Sequence, residues 1–362
     1  MTDTTCPSCG AVAAAGAKFC ESCGKPLGGD APATPVVPAA VDELSPISAP
    51  THRKIADSDV PSGPRPCLSC GGAVGPDGYC ETCGAKAPTE RDHFRETPAA
   101  WVAGVCDRGI VHSRNEDAMA LLASEGRAVL VVLDGVSNSI DSDVASLAGA
   151  KAARDVLTTP FPHGMGTPAS RTGAITKVLT DAANAANDAV VAATDPASTN
   201  PASATFAVAV LEGNLLAHAN IGDSRVYWLP DGGTPVQLTV DDSAAQQQIE
   251  AGVPRAVAET SKEAHAITKW LGRDAPDIEP RTGQVELTGP GWVVACSDGL
   301  WNYASEPGAI AAQVAAAGTA VPLDLALALV AFANAQGGRD NITAAVARVE
   351  QNASEPATAG GA

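Results

Sequence analysis

Residues 204–229 read ATFAVAVLEGNLLAHANIGDSRVYWL. Three short apolar runs, ATFAVAVLE, LLAHANI and SRVYWL, are broken only by Gly213-Asn214 and by Gly222-Asp223. Runs this short, joined by turn dipeptides, predict a meander of antiparallel strands. Working outward, WVAGVC, AMALLA and RAVLVVL read as strands ending at Cys106, Ala123 and Leu133, and WVVACS (292–297) and NITAAVARV (341–349) add two more. Ala-rich and Leu-rich stretches near 172–193, 307–317 and 322–336 read as helices. Strands and helices come in groups rather than in strict alternation. The expected class is therefore α+β, a sandwich of two packed antiparallel sheets flanked by helices, in preference to a doubly wound parallel sheet.

Before this domain the composition changes. Eight of the ten cysteines precede residue 84, in CPSCGAVAAAGAKFCESCG (6–24) and CLSCGGAVGPDGYCETCG (67–84). Each copy carries two CxxCG pairs. Four thiolates suit a tetrahedral Zn²⁺ ion better than a dithiol redox pair or an iron centre, so Cys6, Cys9, Cys20 and Cys23 form one expected structural zinc set and Cys67, Cys70, Cys80 and Cys83 a second. The glycine after each second cysteine (Gly10, Gly24, Gly71, Gly84) permits the positive φ with which such a turn wraps its metal. The expected boundaries are ribbons at 1–27 and 64–88, a Pro/Ala-rich linker at 28–63, a second linker at 89–97, the large domain at 98–350 and a disordered tail at 351–362.

Forty-one acidic residues against 23 basic ones give a formal charge of −18, which repels nucleic acid. No run approaches the roughly 20 apolar residues of a membrane helix, and MTDTTCPSCG is not a secretory leader. A cytoplasmic protein without membrane or nucleic-acid partners is expected. No GxxxxGK[ST] phosphate loop occurs, and neither Cys106 nor Cys296 has an Arg six positions later, which sets aside a cysteine phosphatase.

Short acidic clusters stand at the predicted strand ends: RNED (114–117), Asp134-Gly135 after VLVVL, SDG (297–299) after WVVAC, and RDN (339–341) before ITAAV. Hard divalent cations take several oxygen ligands, so carboxylates converging there would suit a two-metal site. Singly each is a common turn motif. In order, spacing and context they resemble the metal-dependent Ser/Thr protein phosphatases of type 2C (PPM), from about residue 100 to residue 350. The resemblance implies a β-sandwich of two antiparallel sheets, and a water activated by two Mn²⁺ or Mg²⁺ ions that hydrolyses phosphoserine or phosphothreonine on proteins. It implies that Asp134 bridges the metals, that the Gly135 carbonyl binds one, and that Asp298 and Asp340 complete the shell. Glu116 and Asp117 would hold a metal or its waters, and Asp223, in IGDSR (221–225), a third metal. Arg225 in that segment reads as a structural ion-pair residue. The N-terminal segments resemble zinc ribbons of bacterial signalling proteins, which implies a protein partner.

Three positions depart from the family pattern. Where members supply an Arg to grip the substrate phosphate this chain has His112, with Arg108 and Arg114 the nearest cations. His112 and Arg114 are therefore the candidates for phosphate contact. Val136-Ser137-Asn138 follows Asp134-Gly135 without a histidine, and Ser203-Ala204-Thr205 replaces Gly-Thr-Thr, which reads as a packing change. His52, His93, His163, His218 and His265 have no sequence partner and are expected to be non-catalytic. Two rivals remain: a phosphatase-like binding module with weak turnover, separated by an assay, and a zinc-ribbon adaptor, separated by a pull-down with residues 1–90.

Overall fold

The structure is a computed structural model that describes Thr4–Thr5, Val12–Ala13, residues 72–75, 78–84 and Ala87, and residues 90–350 apart from Ser137, Asn138, Ile140 and Lys262. The expected linker at 28–63, the tail at 351–362 and six of the ribbon cysteines (Cys6, Cys9, Cys20, Cys23, Cys67, Cys70) lie outside the described residues.

The chain divides into two units, Met1–Pro88 and Thr89–Ala362. In the first, Thr4–Thr5 pairs antiparallel with Val12–Ala13. Val74 bridges to Cys80, and Gly75 and Glu81 donate to the Tyr79 and Ala73 carbonyls at 2.8 and 2.9 Å. A tight hairpin thus leads into the CxxC turn at Cys80 and Cys83. Gly84 closes that turn with φ 72, its N–H donating to the Cys80 carbonyl at 2.8 Å, as expected for the glycine after the second cysteine.

Among the described residues the second unit contains ten long strands: β1 (His93–Ala99), β2 (Val102–Asp107), β3 (Ala118–Ser124), β4 (Arg127–Leu133), β5 (Phe206–Glu212), β6 (Leu215–Ile221), β7 (Arg225–Pro230), β8 (Arg281–Glu286), β9 (Gly291–Cys296) and β10 (Ile342–Val349). One sheet runs β7-β9-β10-β2-β1, with the short strand Val236–Gln237 outside β7, and the other runs β8-β6-β5-β4-β3. All neighbours are antiparallel. The helices are α1 (Ser142–Val156), α2 (Pro168–Ala192), α3 (Ala244–Glu250), α4 (Arg255–Ala258), α5 (Asp298–Trp301), α6 (Pro307–Ala317) and α7 (Pro322–Ala335).

Side-chain alternation builds three cores in a stack. From β4, Ala128, Leu130 and Val132 meet Val226, Val293 and Ala345 of the opposite sheet, whereas Val129, Val131 and Leu133 face the α1 and α2 residues Ala150, Ala153, Leu179 and Ala186. On the far side Val294, Ala344 and Val346 meet Leu325, Leu329 and Val330 of α7. Both faces of the central strands are buried, which is why RAVLVVL reads as an unbroken apolar run. No single helix among the described residues is long and apolar enough to cross a membrane.

The structure corrects two sequence expectations. Residues 93–97, expected as linker, belong to β1, whose pairing with β2 runs from His93↔Asp107 to Ala99↔Val102. As an edge strand it keeps His93, Arg95 and Pro98 exposed, so its composition resembles that of a spacer. Helix α1 was not foreseen. Its buried face is Ala145, Ser146, Gly149, Ala150 and Ala153, small residues that let it lie close on the sheet but leave no large apolar stripe in the sequence.

Candidate active site

Antiparallel pairing fixes which loops meet. Leu133 pairs with Ala118, Cys296 with Ala344 and Arg225, and Asp107 with Ile342, so the segments carrying Asp117, Asp134, Asp223, Asp298 and Asp340 leave the two sheets at one end. Asp134 follows β4, and its N–H donates to Thr205 Oγ1 at 3.0 Å while Thr205 N–H returns a bond to the Asp134 carbonyl at 2.8 Å. Thr205 Oγ1 also meets Ser224 Oγ at 2.7 Å. One threonine therefore ties the Asp134 strand end to the IGDSR turn, a role its sequence context did not suggest.

Asn341 is a second organiser that sequence reasoning passed over. Its Oδ1 accepts from Glu116 N–H at 2.8 Å and its Nδ2 donates to the Arg108 and Arg114 carbonyls at 2.7 and 3.0 Å, clamping the 108–116 loop over the site. Gly299 packs against that same residue. A Cβ at 299 would collide with the Asn341 carbonyl oxygen, which explains the glycine of SDG.

Five aspartates converge at this end. Asp134 is pushed well above the ordinary carboxyl range by burial and by Asp117, Asp298, Asp340 and Asp223. Asp223 is raised in the same way by burial, Asp298 and Asp241, against the pull of Arg225. Burial raises Asp298 to about 6, with Asp340 adding to it, and its carboxyl lies within hydrogen-bond reach of Asp134. Burial also raises Asp117 to about 7, although Ser297 and Thr343 hydroxyls donate to its Oδ2 at 2.6 and 2.8 Å. As placed, no three of these side chains close around one point as a cage. The case for cations rests on charge and on orphaned oxygens: Asp117 Oδ1 and Asp298 Oδ1 are buried with no hydrogen-bond partner among the described residues. Hard oxygen donors crowded by like charges fit Mn²⁺ or Mg²⁺.

The other predicted site residues fall differently. Gly135 donates to the Glu116 carbonyl at 3.2 Å beside Asp134. Glu116 is buried with Oε1 taken by Arg114 Nη2 at 2.6 Å and by the Ser142 hydroxyl, leaving Oε2 without a described partner. The same Nη2 atom reaches the Ser139 carbonyl at 3.0 Å. Arg114 therefore fixes Glu116 to the Ser139 segment, and through Nη2 it is engaged there. His112 does reach them, with Nε2 3.3 Å from Asp340 Oδ1. Arg225 is the structural ion-pair residue expected. His265, expected to be non-catalytic, lines a cleft of about 280 Å³ with Asp340, Trp301, Asn302 and Arg339. Burial keeps Cys106 and Cys296 as thiols with raised pKa values, Asp117 adding to it at Cys106 and burial prevailing over the pull of Arg225 at Cys296, both enclosed in the cores.

A two-sheet sandwich with a cluster of aspartates at one end defines a class, and the comparisons name it. The family model described as Protein phosphatase 2C matches residues 110–319, more than half of the chain. The chain belongs to the protein phosphatase 2C family. A second model, Double zinc ribbon, matches residues 6–84. Among curated relatives, the protein phosphatase PhpP of Streptococcus pneumoniae is 33% identical over 153 residues, which is 42% of this chain and 60% of PhpP. The serine/threonine protein phosphatase PstP of Mycobacterium tuberculosis is 29% identical over 252 residues, 67% of this chain and 44% of PstP. The matches thus span less than two thirds of these relatives. The crystal structure of PstP superposes with a TM-score of 0.58 at 27% identity, covering 69% of this chain and 98% of that one. The PstP catalytic domain solved with two manganese ions gives 0.53 at 27% identity, over 69% of this chain and 98% of that one.

The raised aspartates have a measurable consequence without metal. A carboxyl whose folded pKa is raised stabilises the fold fully below its unfolded pKa, and that contribution is lost as pH rises through the folded value. Lowering the pH from 8 to 6.5 in EDTA is therefore expected to raise the Tm of the protein, as Asp117, pushed up to about 7, takes up its proton. The window stops at 6.5 because His218, depressed to about 4 by burial, opposes the trend below its unfolded value. Mn²⁺ should raise Tm more at pH 8 than at pH 6.5. A Tm in EDTA that is flat or falls toward pH 6.5 would contradict this electrostatic account.

Proposed function

We propose that the chain is a Ser/Thr protein phosphatase that hydrolyses phosphoserine and phosphothreonine on proteins by direct attack of water. The observation that carries this reading is the convergence of Asp117, Asp134, Asp223, Asp298 and Asp340, whose mutual repulsion calls for divalent cations. Asp134, Asp298 and Asp340 would hold two cations together with the Gly135 carbonyl. Asp117 through Oδ1 and Glu116 through Oε2 would hold a further ligand or its waters, and Asp223 would serve a third cation. Bound there, Mn²⁺ or Mg²⁺ supplies an activated water and neutralises phosphoryl oxygens. The residues of the chain then do the rest. Thr205 and Asn341 fix the segments that carry the carboxylates, and His112 stands at the rim beside Asp340. The P–O bond to the seryl or threonyl oxygen breaks as the water oxygen bonds to phosphorus, and the leaving oxygen is protonated to the free hydroxyl.

The test is hydrolysis of a phosphothreonine peptide in Mn²⁺, in Mg²⁺ and in EDTA. Turnover should require the added cation and resist reagents that alkylate thiols, because Cys106 and Cys296 are fully buried. Turnover that survives EDTA unchanged would remove the proposal. A phosphatase-like binding module would bind the peptide and leave it intact.

We assign the paired CxxC segments to two structural zinc ions, with the ribbons serving a protein partner and the protein acting in the cytoplasm on phosphoproteins. Metal analysis of the purified protein should find two equivalents of zinc, and a Cys80→Ser, Cys83→Ser variant one. Disulfides in place of zinc would refute the assignment.

A further inference from the structure

A phosphate ester approaching five aspartates needs a fixed positive charge besides the cations, and an imidazole at 112 does not supply what a guanidinium does. Arg is always charged and offers two parallel donors to two phosphate oxygens, whereas His donates singly. The arginines around the site can be sorted by what already holds them. Arg114 is committed to Glu116 and the Ser139 carbonyl. Arg225 is enclosed and bound to Asp241, Glu259 and Ser305. Arg255 pairs with Glu259 and Glu306. Arg108 and Arg339 remain. Arg108 is half-buried, with Nε enclosed, and does not line the 280 Å³ cleft beside Asp340 and Gly299, whereas Arg339 is exposed, forms no ion pair among the described residues, and lines it.

Its backbone is also held in place. Arg339 N–H donates to Tyr303 Oη at 3.1 Å, and the preceding Gly338 N–H donates to the Ala333 carbonyl at 3.1 Å, tying the segment to the end of α7. On the other side Asp340 Oδ1 accepts from Asn341 N–H at 2.8 Å. An unengaged guanidinium therefore projects from a braced turn one residue before a proposed metal ligand. A free Arg facing solvent on a strongly acidic chain is common enough. One lining a cleft beside Asp340, with Arg114, Arg225 and Arg255 already bonded, is placed for an anion.

We propose that Arg339 grips the substrate phosphate, taking the part for which His112 is poorly suited. The assignment rests on the phosphatase reading above, and its tests separate the two. In Mn²⁺, Arg339→Ala should raise KM for a phosphothreonine peptide about ten-fold or more, raise KM for p-nitrophenyl phosphate similarly, and weaken inhibition by inorganic phosphate, while kcat moves less than about three-fold. Arg339→Lys, which keeps the charge without the fork, should recover part of the loss. A merely structural role would instead lower Tm and kcat without selectively weakening inhibition by phosphate. If wild type turns over and Arg339→Ala leaves KM and phosphate inhibition unchanged, the assignment is overturned and the phosphatase reading stands. A rise in KM confined to the peptide would place Arg339 on the polypeptide and likewise overturn it. If wild type does not turn over, calorimetric titration of inorganic phosphate into the Mn²⁺-treated wild type and Arg339→Ala still decides: weaker binding in the variant supports the assignment, equal binding overturns it.

Discussion

Replacing Asp134 by Asn is expected to lower kcat for phosphopeptide hydrolysis by at least about 100-fold, which corresponds to about 2.7 kcal/mol of lost transition-state stabilisation. Asn keeps the size of the side chain and removes its charge. Asp134 is half-buried in the cluster, within the influence of Asp117, Asp298, Asp340 and Asp223. It is therefore the carboxylate whose loss most weakens cation binding. The same substitution should act oppositely on the metal-free fold, because it removes a carboxyl crowded by four others. Tm in EDTA at pH 8 should rise or hold, while the Tm gain on adding Mn²⁺ shrinks. Loss of activity together with a large fall of Tm in EDTA would show that Asp134 supports the fold instead of the metals. The backbone bonds to Thr205 do not involve the carboxylate and should survive the change.

The sandwich was legible because its strands are apolar on both faces and its turns carry Gly-Asn and Gly-Asp; the 204–229 meander appears as β5, β6 and β7. Less visible was whatever uses small or polar residues to pack. Helix α1 buries alanines, Ser146 and a glycine, and β1 buries little, so neither displays a strong apolar period. At the site, the aspartates stood out because they directly follow or precede apolar runs. Their supports did not. Thr205 looked like a packing variant, and Asn341 looked like an ordinary turn residue, since a side chain's hydrogen bonds to a segment 225 residues away leave no local trace. The pairing of Arg114 with Glu116 was hidden for a related reason. Its partner Glu116 is close in sequence, but Ser139 and Ser142, which complete its setting, come from beyond β4. Charge alone could not reveal that this cation was already paired.

Arg225→Ala is expected to destabilise the phosphatase domain by roughly 3–5 kcal/mol, the usual cost of stripping one partner from a buried ion pair. Arg225 begins β7 and is almost wholly enclosed. Its Nε and Nη2 meet the Asp241 carboxylate at 3.0 and 2.7 Å, and Nη1 donates to the Ser305 carbonyl at 3.1 Å. The guanidinium lies over the Trp301 ring, 3.5 Å from its centroid. Burial opposes the charge, but Tyr227 and Asp241 outweigh it and hold Arg225 protonated, whereas burial raises Asp241 more than Arg225 lowers it. Without the arginine the Asp241 carboxylate is left buried and uncompensated. Arg225 also links β7 to Asp241 and Glu259 in the excursion between β7 and β8, the same excursion that brings His265 to the cleft. At about 2–4 °C per kcal/mol for a domain of this size, Tm should fall by on the order of 10 °C. Arg225→Lys should recover little, since an ammonium cannot reach Asp241, Glu259 and Ser305 together. Removing both charges, as in Arg225→Met with Asp241→Leu, should recover much of the loss, because no unpaired carboxylate then remains inside. If the single and double variants lose stability equally, the contribution of Arg225 comes from its packing on Trp301 and not from its charge.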